Sequence, residues 1–240
     1  MKAEIKIIAL VAILMAAGCT TSTTPNEKSM VAASPTSEWR EDFGIAKRSL
    51  VTTGRNPYFI LEPGFRLVLE SESEKLVITV LDDTMDVAGV TTRVVEEREW
   101  KNRELIEVSR NFFAICKDAA DVFYFGEDVD DYRNGQIVGH GGAWRAGSSD
   151  TKPGLIMPGS PKVGMKYFQE IAPGIAMDRA EVVSLKETLK TPAGTFDKCL
   201  KIREGSALKP HEKGFKIYAP GIGLIHDADL RLKEYGFIGK

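Results

Sequence analysis

Histidine and cysteine are scarce in this chain, with three of each in 240 residues. None stands at His-x-x-x-His or Cys-x-x-Cys spacing, so a zinc site built from ligands close in sequence is not expected. The P-loop and the dinucleotide-binding glycine fingerprint are missing as well, which removes two strong signatures of nucleotide chemistry. Charge of one sign is also lacking. A formal net charge of −2 leaves no electrostatic footprint for nucleic acid or for an anionic lipid surface. Long apolar runs are absent apart from residues 7–17. As a helix that run covers about 16 Å, well short of the roughly 30 Å of a bilayer's hydrocarbon core.

What is present at the start reads as an export signal. Lys2 and Lys6 precede the apolar run, and Ala16-Ala17-Gly18 leads into Cys19. A basic start, a short apolar core and small residues before a cut make the secretory pattern. Met15 to Cys19 resembles the bacterial lipobox, with Ala16 where that pattern prefers Leu. The resemblance implies cleavage before Cys19 and lipid attachment at its thiol. Localisation at the cell envelope follows as an expectation, held to a membrane on the extracytoplasmic side. The alternative is an ordinary signal or a short uncleaved anchor with a chance cysteine.

Residues 20–37 are rich in Thr, Ser and Pro and almost devoid of large apolar groups. Such a stretch cannot repay its ordering entropy and serves as a tether with a reach of about 25 Å. The expected organisation is a signal peptide at 1–18, a lipidated tether at 19–37 and one β-rich domain at 38–240. Residues 37–50 read as a short helix. Ser37 caps it, Glu38, Glu41 and Asp42 suit its start, and Trp39, Phe43, Ala46 and Leu50 share one face.

From Phe65 onwards the pattern is β. Alternating apolar and polar residues recur at 75–81, 90–97 and 103–116, then at 123–125, 164–170, 178–190, 195–204, 213–219 and 223–233. Asn134-Gly135 is a strong hairpin signal, and Pro63-Gly64 suits a type II turn. The strands around Phe112-Phe113 and Phe123-Tyr124-Phe125 are apolar on both faces, so something must cover the second face. The Trp39 helix, a curl of the sheet or a bound apolar molecule would each do so. The fold expected is all-β with minor α: a curved antiparallel sheet forming a half-barrel or incomplete barrel, with one short N-terminal helix.

Several segments together are similar to a group of uncharacterised prokaryotic secreted proteins and lipoproteins. They are Asn56-Pro57-Tyr58-Phe59 with Pro63-Gly64, Tyr124-Phe125-Gly126-Glu127-Asp128, Lys152-Pro153-Gly154-Leu155-Ile156-Met157-Pro158 and Pro161-Lys162-Val163-Gly164. Pro192-Ala193-Gly194-Thr195-Phe196 and Tyr218-Ala219-Pro220-Gly221-Ile222-Gly223-Leu224-Ile225 belong to the same set. That likeness brings no functional residues with it. A weaker likeness, to curved-sheet envelope lipoproteins of the lipoprotein-carrier type, implies an apolar concave face.

Candidate chemistry is thin. Gly139-His140-Gly141-Gly142 looks like an α/β-hydrolase oxyanion loop, but no Gly-x-Ser-x-Gly elbow accompanies it. Ser149 with Lys152 and Ser206 with Lys209 match Ser-x-x-Lys without the further elements that penicillin-recognising enzymes need. Glu127, Asp128, Asp130 and Asp131 form an acidic cluster that fails the EF-hand spacing and leaves open an irregular calcium site. His226 should point inward and Asp227 outward, by strict alternation with Leu224 and Ala228. Cys116 and Cys199 fit two separate thiols better than a disulfide. No catalytic, cofactor or metal residue is assigned; Cys19 alone carries a role. The leading expectation is a non-enzymatic envelope lipoprotein binding a partner protein or an apolar ligand. Its rivals are a hydrolase assembled only in the fold, gathering His140, Trp144 and a carboxylate pair to which isolated acids such as Glu62 or Glu170 could contribute, and a calcium-stabilised structural domain.

Overall fold

A computed structural model describes residues 38–148 and 150–239. Cys19, the leader and the tether lie outside the described residues. Three short strands open the chain: β1 (Leu50–Val51), β2 (Gly54–Asn56) and β3 (Phe59–Leu61). A long meander follows, formed by β4 (Phe65–Glu70), β5 (Glu74–Val87), β6 (Val90–Lys101), β7 (Glu104–Cys116) and β8 (Val122–Arg133). Short pieces come next: β9 (Gln136–Gly139), β10 (Trp144–Arg145), β11 (Lys152–Met157), β12 (Lys166–Phe168) and β13 (Glu170–Ile171). A second meander ends the domain, with β14 (Asp178–Thr191), β15 (Gly194–Ser206), β16 (Lys213–Ala219), β17 (Gly223–Asp227) and β18 (Leu230–Phe237).

Sixteen of these strands form one nearly closed, barrel-like antiparallel sheet, and β2 pairs with β3 apart from it. Two-residue turns with both φ positive, at Ala88-Gly89 and Asn102-Arg103, set the register within the first meander, and a third at Asn134-Gly135 joins β8 to β9. Such turns match the right-handed twist of the strands they join. At Pro63-Gly64, Gly64 has φ 82° and the Phe65 amide donates to Glu62 O at 3.1 Å, as a type II turn requires.

Closure depends on one short stretch. The sheet path begins at β12, which pairs with β14, and ends at β13, which pairs with β11. Only Gln169 separates β12 from β13. Its amide donates to Asp178 O at 2.7 Å, and Phe168 donates to Arg40 O at 2.9 Å. The chain thus steps across its own seam. Gly154 on β11 makes the step feasible, because a Cβ there would lie 2.0 Å from Gln169 O.

The expected helix at 37–50 is reduced to a three-residue 3₁₀ turn, Ile45–Lys47. Gly44 sits in the left-handed region at φ 59°, and Arg40 is drawn into a bridge with Tyr167. Ser37 lies outside the described residues. The segment still covers the second apolar face: Phe43 packs on Phe123 at 6.0 Å between ring centroids, and the Arg48 guanidinium lies 5.6 Å above the Phe123 ring. On the opposite face Phe59 of β3 meets Phe113 edge-on at 5.3 Å. Protein side chains therefore pack against both sides of this strand pair. Cys116 and Cys199 are both buried and free.

Candidate functional site

The barrel holds a partly open cavity of 310 Å³, at the lower end of the roughly 300–1,000 Å³ typical of small-ligand sites. Its polarity is legible along one strand. On β7 the inward positions are Glu107, Ser109, Asn111 and Phe113, passing from charged to polar to aromatic. Phe59 and Ile60 of β3, with Phe65, Leu67 and Leu224, complete the apolar end. Asn56 fastens that end: its amide donates to Ala120 O at 2.8 Å and Pro158 O at 3.0 Å, while its Oδ1 accepts from the Tyr58 amide at 2.7 Å.

The other end is acidic. Glu97 and Glu99 come from β6, Glu107 from β7 and Glu127 from β8. Glu170 and Asp178 stand on either side of the seam, and Glu204 and Asp227 complete the set from β15 and β17. Lys216 of β16 is the one lysine or arginine in this lining. Its Nζ lies 3.0 Å from Glu204 Oε2 and 3.5 Å from Asp227 Oδ2. Gln169 donates to Glu204 Oε1 at 2.9 Å. A second cavity of 230 Å³ adjoins the first and shares Glu99, Asp178, Glu204, Lys216 and Asp227 with it.

Burial governs the electrostatics. It pushes Glu97 up to about 7 and Glu107 up to about 8, with neighbouring carboxylates adding to the effect. Glu127 also rises to about 8 through burial, although the Tyr124 hydroxyl opposes the shift. Glu170 is driven well above the usual carboxylate range by burial and then by Glu127. For Lys216 burial favours the neutral amine, but Asp227 and Glu204 outweigh it and hold the ammonium charged. Glu97 and Glu170 keep some accessible surface while protein encloses them, because that surface faces the lumen.

Of the candidate residues singled out from sequence, Glu127 and Glu170 line the cavity and most of the others fall elsewhere. Glu62 pairs with Arg55 through two hydrogen bonds of 2.8 and 2.7 Å. The acidic cluster is split across β8. Glu127 faces the lumen, Asp128 is held by Arg145 Nη2 at 2.6 Å, and Asp130 pairs with Arg110 and His140, each at 3.1 Å. His140 is exposed, whereas Trp144 is buried against Tyr124 at 5.5 Å, so the two do not share a site. Among the described residues no three His, Cys, Asp or Glu side chains converge so as to hold a metal ion.

His226 and Asp227 exchange the faces that strict alternation assigns them. The β16–β17 register shifts between Ile217 and Tyr218, so Leu224 and Asp227 both reach the lumen, three positions apart. A bulge of this kind inserts one residue and reverses every later side chain. The lumen carboxylates of β6 and β7 escape sequence reading for another reason. Both faces of these strands carry charge, so alternation alone does not say which face is inside. Compared with known proteins, the chain matches no family model, no curated protein and no solved structure.

Proposed function

We propose that this chain is a membrane-anchored envelope lipoprotein, lipidated at Cys19, whose barrel binds a small molecule in its lumen. The observation that carries the binding half is the 310 Å³ cavity with one apolar and one acidic end. An interior that served stability alone would be filled by side chains at close-packed density. Leaving unpaired carboxylates around empty space costs stability, a cost that a ligand offsets when bound. The address rests on the leader, the small residues before Cys19 and the Thr/Ser/Pro tether. The likeness to prokaryotic envelope lipoproteins points the same way.

Two measurements test this reading. Labelling with a radioactive fatty acid in a bacterial host should mark the wild type and leave Cys19→Ser unmarked; equal labelling removes the anchor. Native mass spectrometry of the protein from its own envelope should show a bound small molecule. A ligand-free protein that also binds none of a panel of amphiphiles removes the lumen reading. Acid–base hydrolysis is a second reading, favoured by Glu107 and Glu127 holding protons near neutral pH inside a cavity. Turnover of glycosides or esters that is abolished by Glu107→Gln would establish it.

A further inference from the structure

We propose that the lumen takes an organic cation, with a primary ammonium seated among the carboxylates of β6, β7 and β13 and an apolar body lying toward Phe59, Phe65 and Leu224. The inference narrows the lumen-binding reading and rests on it.

The first support is the contrast between the two sides of the same strands. Outside, carboxylates are matched with arginines: Glu96 with Arg98 at 2.7 Å, Asp128 with Arg145 at 2.6 Å and Glu181 with Arg203 at 2.8 Å. Inside, eight carboxylates line the first cavity with Lys216 as the one lysine or arginine of that lining, and Lys75 joins it in the adjoining cavity. Composition and strand periodicity alone do not produce that asymmetry.

The second support is a set of acids left without partners. Glu97 and Glu170 are enclosed by protein and line the cavity. Neither carboxyl makes a hydrogen bond or ion pair within the described residues, and the same holds for Glu99 and Glu107. Buried acids are ordinarily paired or hydrogen-bonded. Here the space beside them is open to an occupant.

Lys216 shows which chemistry the wall accepts. Its ammonium already sits between Glu204 and Asp227 in the lining common to both cavities. A bare metal ion is a poorer match, since the acids are spread around the wall and no three converge to coordinate one. A polyamine is a poorer match too, because half of the lumen is apolar. An amine on a hydrocarbon body satisfies both ends.

Isothermal titration calorimetry at pH 8 tests this on the full chain carrying Cys19→Ser, so that no acyl chain competes. The probes are octylamine, octanol and octanoate. Octylamine should bind at least tenfold more tightly than octanol, and octanoate should show no saturable binding. The double variant Glu97→Gln, Glu107→Gln should erase the preference for the amine, whereas Glu181→Gln on the outer surface should leave it intact. Equal affinity for octanol and octylamine, or preference for octanoate, overturns the cationic ligand while lumen binding stands. Binding of none of the three overturns both. Displacement of octylamine by equimolar calcium chloride or spermidine overturns the amphiphilic monoamine.

Discussion

Lys216 on β16 and Glu204 on β15 form an ion pair of 3.0 Å that belongs to the lining of both cavities. Asp227 of β17 joins it at 3.5 Å, so three adjacent strands are tied at the acidic end. Removing the ammonium with Lys216→Met should leave the part-buried Asp227 carboxylate without this cation and Glu204 with the Gln169 hydrogen bond in its place. The expected loss is about 1–3 kcal/mol at pH 8. The loss should shrink at pH 5, where Glu97, Glu107 and Glu127 are protonated and the lumen carries less negative charge. Thermal denaturation at both pH values checks this; an equal loss at each would assign the effect to packing.

Stability itself should depend on pH. Glu97 is raised to about 7 by burial first, then by Glu99, Asp227 and Glu204 against the opposing Lys216. Burial likewise raises Glu107 to about 8, reinforced by Glu99, Glu127, Asp131 and Glu97. An ordinary glutamate carboxyl titrates at 4.5, so between that and pH 8 the native state holds protons that the unfolded chain has released. The corresponding stabilisation is complete below the unfolded value and is lost as pH rises through the folded ones. The melting temperature should therefore fall from pH 5 to pH 8, by about 2–4 °C for each kcal/mol lost. The Glu97→Gln, Glu107→Gln variant should give a flatter profile. A flat wild-type curve would contradict an enclosed acidic lumen.

Asn56 spends its whole side-chain amide on tying the apolar end shut, and its side chain is 1 % exposed. Asn56→Ala should cost about 2–3 kcal/mol, because it leaves the Ala120 and Pro158 carbonyls without this donor. Chemical denaturation measures the loss. Hydrogen exchange should also speed up at the Tyr58 and Gly221 amides, the latter now donating to Pro57 O at 2.7 Å.

Gly154→Ala probes the seam. The new methyl would stand 2.0 Å from Gln169 O, so β11 and the Gln169 stretch must separate. A loss of about 3 kcal/mol or more is expected. Increased proteolysis within 150–178 should accompany it, whereas a variant as stable as the wild type would show that the seam tolerates displacement.

Tyr167→Phe should be close to neutral or mildly stabilising. The Tyr167 hydroxyl is buried with no hydrogen-bond partner among the described residues, so its desolvation is uncompensated there. Removing an orphaned polar group releases that penalty without breaking a bond. A loss above about 1 kcal/mol in denaturant titration would argue for a bound water on this hydroxyl.

Much of the fold was readable before any tertiary contact was known. Asn134-Gly135 does join β8 to β9, Pro63-Gly64 does turn into β4, and the alternation from Phe65 marks the two meanders. These signals work because turn chemistry and strand pleat act over two to six residues. The helix expected over 37–50 does not form because Gly44 adopts the left-handed region and Arg40 is drawn into a bridge with the distant Tyr167. His226 and Asp227 depart from strict alternation because of a bulge at Ile225 within β17, visible only in its pairing with β16.

The candidate site was almost invisible in the sequence. Glu170 was noticed as a carboxylate able to pair in space, but Glu97, Glu99 and Glu107 look like the solvated face of a meander. Strand identity and hairpin register are properties of neighbouring residues, so the order of amino acids determined them directly. Which face of β6 and β7 turns inward, and whether the sheet closes, was decided by pairing residues 152–153 with 170–171 and 166–168 with 179–181. That closure encloses charged side chains that an open sheet would leave in water, and their raised proton affinities and unmatched charge exist only because of it.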